Sequence, residues 1–144
     1  MHDPARRFVL AGMASLACAT WAAPSNVSDA DAHGIRAVIE AQLAAFRADD
    51  AELAFSYASP SIRAKFVVAD HFLAMVRGAY PVVYRPQSLG FLLAQVIDDE
   101  VIQRVRMTDR SGAAWLAIYR MQLQGDRSWR IDGCVVTRDA GQTA

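Results

Sequence analysis

Residues 113–134, AAWLAIYRMQLQGDRSWRIDGC, decide the fold. Apolar side chains recur at every second position up to Leu123, Gly125-Asp126-Arg127 breaks the pattern, and the alternation resumes through Trp129 and Ile131. Period two on both sides of a short loop rich in turn residues predicts an antiparallel hairpin with one buried face. Parity sends Trp115, Ala117, Tyr119, Met121, Leu123, Trp129, Ile131 and Val135 to the apolar face, and Leu116, Ile118, Arg120, Gln122, Arg130, Asp132 and Cys134 to the other. A bulge would shift this sorting for one strand. Asp132 then falls opposite Arg120 as a cross-strand ion pair worth ~0.2–1 kcal/mol, a structural role preferred here to a catalytic one.

The alternation extends upstream. Strands are expected at Ser88–Ile97, Glu100–Thr108, Ala113–Gln124 and Ser128–Thr137, with Val101, Gln103, Val105 and Met107 on the apolar face and Ile102, Arg104 and Arg106 outside. The links at Asp98-Asp99 and Asp109–Gly112 are short, so consecutive strands form a meander. Before Pro86 the period is helical. Ile35, Val38, Ile39, Leu43 and Phe46 mark one stripe behind a Ser28 or Asp29 cap, and Asp50 caps a short helix through Leu53, Phe55 and Tyr57. Ser59-Pro60 starts a third helix carrying Ile62 and Phe66, and a fourth runs from Ala69 to Ala79 and stops at Pro81. Helices followed by a meander predict an α+β domain, its helices packed in the concave face of a curved antiparallel sheet.

The chain has 144 residues, 53% of them hydrophobic, which suffices for one core without metal or disulfide staples. With 15 basic and 15 acidic side chains it has no net field to draw a polyanion, so no nucleic-acid partner is expected. Arg6-Arg7, the apolar run Phe8–Leu16 and the small residues before Pro24 have the three-part layout of an export signal. Cleavage after Ala22 puts Thr20 and Ala22 at the two positions that must be small. The run is shorter than the ~20 apolar residues of a membrane span, so the mature chain is expected to be exported without a transmembrane segment. The expected organisation is a signal peptide at 1–22, a short flexible lead at 23–29, one domain at 30–138 and a tail at 139–144. Arg6-Arg7 also fits a twin-arginine signal in part, and Cys18 a lipid-anchoring site in part, although Leu16 sits two residues before it instead of three. The mature chain keeps only Cys134, which in its Val-rich strand reads as a small core hydrophobe.

Three stretches carry a resemblance: IRAVIEAQLAAFRADDAELAFSYASPSIRAKF (35–66), FLAMVRGAYPVVYRP (72–86) and residues 113–134 quoted above. The mature chain resembles a bacterial family of unknown function within the nuclear-transport-factor-two-like superfamily. That resemblance implies a cystatin-like cone, frequently a dimer, with a cavity between helices and sheet. The superfamily spans isomerases, dehydratases, binding modules and immunity proteins, so it does not select an activity.

Chemistry in such a cone needs an acid or base on the concave side. The inward strands offer only Gln103 and Tyr119 as polar groups. The helices offer His71 beside Asp70, a candidate base at a first-turn position that is ordinarily solvated. Tyr57, Tyr80, Tyr84, Trp115, Tyr119 and Trp129 are the expected pocket lining, with edge-of-core packing the alternative for the three helical tyrosines. Arg77 is open to a ligand carboxylate or to Glu52 or Asp70. Asp29, Asp31 and His33 form D-x-D-x-H, but acidic residues at a helix start are what its dipole favours, and neither a metal nor a cofactor is expected. On the outer face Phe91, Leu93, Ile102, Leu116 and Ile118 lie among four arginines, a composition that predicts a homodimer interface. The sequence therefore points to an exported, non-catalytic domain that binds a small apolar or amphipathic ligand or a protein partner. The alternative is a cofactor-free lyase, isomerase or hydrolase with its site in the cone cavity.

Overall fold

The helical half starts from side-chain caps. In the computed structural model, which describes Ala23 and residues 25–139, Ser28 Oγ accepts from the Asp31 amide at 3.2 Å and Asp50 Oδ1 from the Leu53 amide at 3.1 Å. Ser59 Oγ accepts from the Ile62 amide at 3.3 Å, with Pro60 at the first helical position. Each cap satisfies a backbone N–H that the helix cannot. The signal peptide expected at 1–22 and the chain end beyond 139 lie outside the described residues.

The order is β1 (Ser25–Asn26), α1 (Asp29–Arg47), α2 (Ala51–Ser56), α3 (Pro60–Phe66), α4 (Ala69–Ala79), α5 (Pro81–Tyr84), β2 (Ser88–Phe91), β3 (Gln95–Ile97), β4 (Glu100–Thr108), β5 (Ala114–Leu123) and β6 (Trp129–Arg138). The protein is α+β, with helices in its N-terminal half and an open six-stranded antiparallel sheet ordered β1-β3-β4-β5-β6, β2 also pairing with β4. The helices α1, α2 and α4 bury Ile35, Ile39, Phe46, Phe55 and Phe72 against Val105, Met107, Ala117 and Tyr119 of the sheet. Helix α1 comes so close to β6 that a methyl group on Gly34 would stand 3.2 Å from Trp129 Cδ1. No helix among the described residues is long and apolar enough to cross a membrane.

The hairpin between β3 and β4 has a two-residue turn. Asp98 and Asp99 both take left-handed φ (50° and 64°), and Ile97 pairs directly with Glu100. Such turns match the twist of the strands they join.

Two strands depart from the expected alternation. Phe91 pairs with Val105 and Gln95 with Ile102, so four residue steps on the outer strand span three on β4. The extra residue divides the expected strand 88–97 and inverts its phase. Phe91 consequently leaves the outer face: it packs against the core under the Arg36 guanidinium, 4.6 Å from its ring centroid. Gln103, only 2% exposed, fills the break, its Nε2 donating to Leu92 O at 2.7 Å.

The second departure lies between β5 and β6. Arg120 pairs with Gly133 but Met121 with Ile131, so Asp132 is the extra residue of a bulge. Beyond it the expected faces exchange: Cys134 stands opposite Tyr119 and packs on the core, while Val135 is 59% exposed. Residues 57–59 run along the free edge of β6 here, Ile131 N donating to Tyr57 O and Ser59 N to Ile131 O, both at 2.8 Å. The lead segment, expected to be flexible, also joins the sheet, Ser25 pairing with Val96 and Asn26 with Gln95.

Candidate ligand cavity

A cavity of about 780 Å³ lies where α3 and α4 meet β5 and the bulged part of β6. Phe46, Ile62, Phe66, Phe72, Met75 and Ile131 supply its apolar wall. Polar groups fall into two sets. Lys65, Glu100, Arg120 and Asp132 bring charge to the lining, whereas Gln42, Tyr119 and Cys134 are uncharged groups on the core side.

Asp132 is built in by its neighbours. Its Oδ1 accepts from Ser59 Oγ at 2.6 Å and Ser61 Oγ at 2.9 Å, and its Oδ2 from Arg120 Nε at 3.2 Å. Partial burial pushes the carboxyl up, but the two hydroxyls and the guanidinium outweigh it and hold the group below the usual carboxylate range. A carboxylate so held is a weak base. The bulge thus ties the start of α3 to the sheet beside the cavity.

Tyr119 stands across from both Gln103 and Cys134 and is 1% exposed. Its hydroxyl has no hydrogen-bond partner among the described residues, and the neighbouring Cys134 thiol does not reach hydrogen-bond geometry with it. Burial, then the Cys134 side chain, pushes the phenol well above its ordinary pKa, so it keeps its proton. Burial likewise pushes the Cys134 thiol up to about 12, and the thiol is not a nucleophile at neutral pH.

Of the residues expected to line a pocket, Tyr80 and Tyr119 line this one. Tyr57 caps α2 outside it, and Trp129 lies buried under α1. Trp115 is at the far end of β5, its Nε1 donating to Asp109 Oδ2 at 2.8 Å. There Ser111 and Trp115 lower the Asp109 carboxyl to about 2. Tyr84 borders a second cavity of about 400 Å³ with Arg85 and Asp109, and its hydroxyl donates to Asp49. Arg77 pairs with Asp49 at 3.5 Å, not with Glu52 or Asp70. His71 is exposed on the first turn of α4, outside the cavity lining. Among the described residues no group of three or more His, Cys, Asp or Glu side chains is placed to hold a metal.

The family described as Domain of unknown function (DUF4864) matches residues 28–144. The chain belongs to this family. No curated protein and no solved structure matches it.

In this DUF4864 domain the Arg120–Asp132 ion pair expected from the sequence is present at 3.2 Å, whereas sequence reasoning misplaced Cys134 and passed over Gln42, Ser59 and Lys65 as site residues. One signal was present: Asp132-Gly133 in mid-strand is poor strand material, and glycine inside a strand marks a bulge or a close approach. Here Gly133 gives room to Arg120, whose Nη2 would stand 3.2 Å from an added Cβ.

Proposed function

We propose that the protein is an exported, cone-shaped domain of the nuclear-transport-factor-two-like type that holds a small apolar or amphipathic ligand and does no chemistry on it. The observation that carries this reading is the cavity of about 780 Å³ walled by aromatic and aliphatic side chains of α3, α4 and the sheet, reaching Ile102, Ile118 and Val135 of the outer sheet face. Its volume suits a small molecule, for which pockets of roughly 300–1,000 Å³ are usual. Export is supported by the layout of residues 1–22.

A catalytic reading has one observation in its favour, since Asp132 and Tyr119 line the same cavity. The three donors on Asp132 weigh against it as a base. A second copy of the chain belongs to the proposal, docked on the outer sheet face, where Ile102, Ile118 and Val135 lie on one side and also border the cavity. Glu100 and Arg104 flank Ile102 on that side and make no ion pair among the described residues, so a two-fold copy can set each against the other.

Native mass spectrometry of the chain purified after export tests the reading. The expected species is a dimer that starts at Ala23 and carries an adduct lost on denaturation. An adduct-free chain that also takes up no apolar probe would overturn the ligand reading, and turnover of the recovered adduct would replace it with the catalytic one.

A further inference from the structure

One chain does not close the cavity. Its deep end is walled by Phe46, Phe72 and Tyr119, all buried, whereas its other end is bordered by Lys65, Glu100, Arg120 and Val135, all exposed. Gly133, beside the Asp132 bulge, lines the space with no side chain to separate the two ends. The open end lies on the outer sheet face, where Ile118 stands opposite Val135 and Ile102 opposite Arg120. Regular alternation would have turned Val135 inward with Trp129 and Ile131. The extra residue of the bulge sends it out into solvent instead.

A ligand in such a space stays partly wet. Pockets that hold small molecules enclose roughly 70–90% of the ligand's surface, and here water reaches the same apolar side chains that a second copy would cover. Neither contact is complete alone. A bound ligand leaves Ile102, Ile118 and Val135 partly in water, and a copy docked over an empty cavity forgoes the contacts that a filled one offers.

The charges at this end fit a second copy as the cover. Glu100 and Arg104 lie two residues to either side of Ile102 on β4 and make no ion pair among the described residues. A copy turned about a two-fold axis at Ile102, so that the two β4 strands run in opposite directions, sets Glu100 of each chain against Arg104 of the other. A self-complementary face needs both signs on one patch, and this one has them.

We infer that the second copy completes the cavity, so that ligand binding and dimerisation strengthen each other. This rests on the reading of the cavity as a ligand site and of the outer face as the seat of a second copy, and it adds the coupling between them. Linkage makes the effect reciprocal: what tightens the dimer tightens the ligand.

The test uses the mature chain and the fluorescent apolar probe N-phenyl-1-naphthylamine, with sedimentation equilibrium for the dimer and fluorescence titration for the probe. Saturating probe is expected to lower the dimer dissociation constant about tenfold, coupled sites commonly shifting each other by about 5–150-fold. Arg104 is outside the cavity lining, so a substitution there reaches the probe only through the dimer. Arg104→Glu is expected to give a monomer that binds the probe about tenfold more weakly. Combining it with Glu100→Arg is expected to restore the dimer and the affinity with it, which a folding defect would not allow. A monomeric wild type that takes up the probe overturns the inference, as does a dimer that the probe leaves unchanged or loosens. An Arg104→Glu variant that stays dimeric, or that binds the probe as tightly as the wild type while monomeric, overturns it too. Failure of the wild type to take up the probe at all rejects the cavity reading itself.

Discussion

Ser59 and Tyr119 carry hydroxyls buried to nearly the same depth, 0% and 1% exposed, in opposite surroundings. Ser59 Oγ donates to Asp132, accepts from the Ile62 amide and lies 3.1 Å from Ser61 Oγ. Tyr119 Oη bonds to none of the described residues. The difference follows what each place must do. At Ser59 a helix start is fixed to a strand bulge, and every polar atom is used to hold the two together. At Tyr119 the hydroxyl is enclosed by the core, where a donor without a partner among the described residues is stability given up.

The comparison breaks first at Asp132. Asp132→Ala removes the acceptor of two hydroxyls and the partner of Arg120, and is expected to lower stability by about 2–3 kcal/mol in urea unfolding, because hydrogen bonds to charged groups are worth ~1.5–3 kcal/mol. A loss below about 0.5 kcal/mol, that of an ordinary surface change, would show that α3 is held by packing alone.

The other end of α3 sharpens the contrast. Val67 has φ 67° and ψ −51°, and Val68 N donates to Phe66 O at 2.7 Å, the geometry of a strained γ-turn on a β-branched residue that is 75% exposed. Val67→Gly is expected to raise stability by ~1 kcal/mol, strain relief exceeding the entropy cost of glycine. An unchanged or lowered thermal midpoint would contradict this. Tyr119→Phe is expected to change the stability of the ligand-free protein by less than ~0.5 kcal/mol or to raise it slightly, since the hydroxyl it deletes bonds to no described residue. A clear loss would mean that the hydroxyl is satisfied in the free protein.

The smallest effect is a slope. Asp132 is depressed in the folded chain, so its contribution is complete above the ordinary carboxylate value of 3.8 and fades as pH falls through its folded pKa. Asp109 follows the same sign between 3.8 and about 2. Thermal midpoints taken from about pH 5 to pH 2 should fall more steeply for the wild type than for Asp132→Ala; parallel curves would remove Asp132 from the linkage.

Much of the site was legible piecemeal. The inward parity of Tyr119 is a strand property read from period two, whereas Tyr80, Tyr57 and Tyr84 carry the same helical signal and only Tyr80 borders this cavity. Trp129 has the same parity as Tyr119 yet lies under α1, because Gly34 opens a slot there that no period reveals. Lys65 and Gln42 reach the cavity only because α3 and α1 cross the sheet at particular places, and nothing in their own spacing separates them from other helical polar residues.

The amino-acid order by itself determined the first four helices, the strands β4, β5 and β6, and the α+β class. Caps at Ser28, Asp50 and Ser59, Pro60 at a helix start, a two-residue turn at Asp98-Asp99 and the change from helical to twofold period are local, and local preference settles them. Only the tertiary structure decided the phase of two strands, and with it the sides taken by Phe91, Cys134 and Val135 and the place of Asp132 at the cavity. The physical reason is that a bulge inserts one residue into a ladder without disturbing the alternation on either side of it. Which residue is extra is settled by the partner strand and by what packs on its edge, here the Ser59 and Ser61 hydroxyls that receive the Asp132 carboxylate.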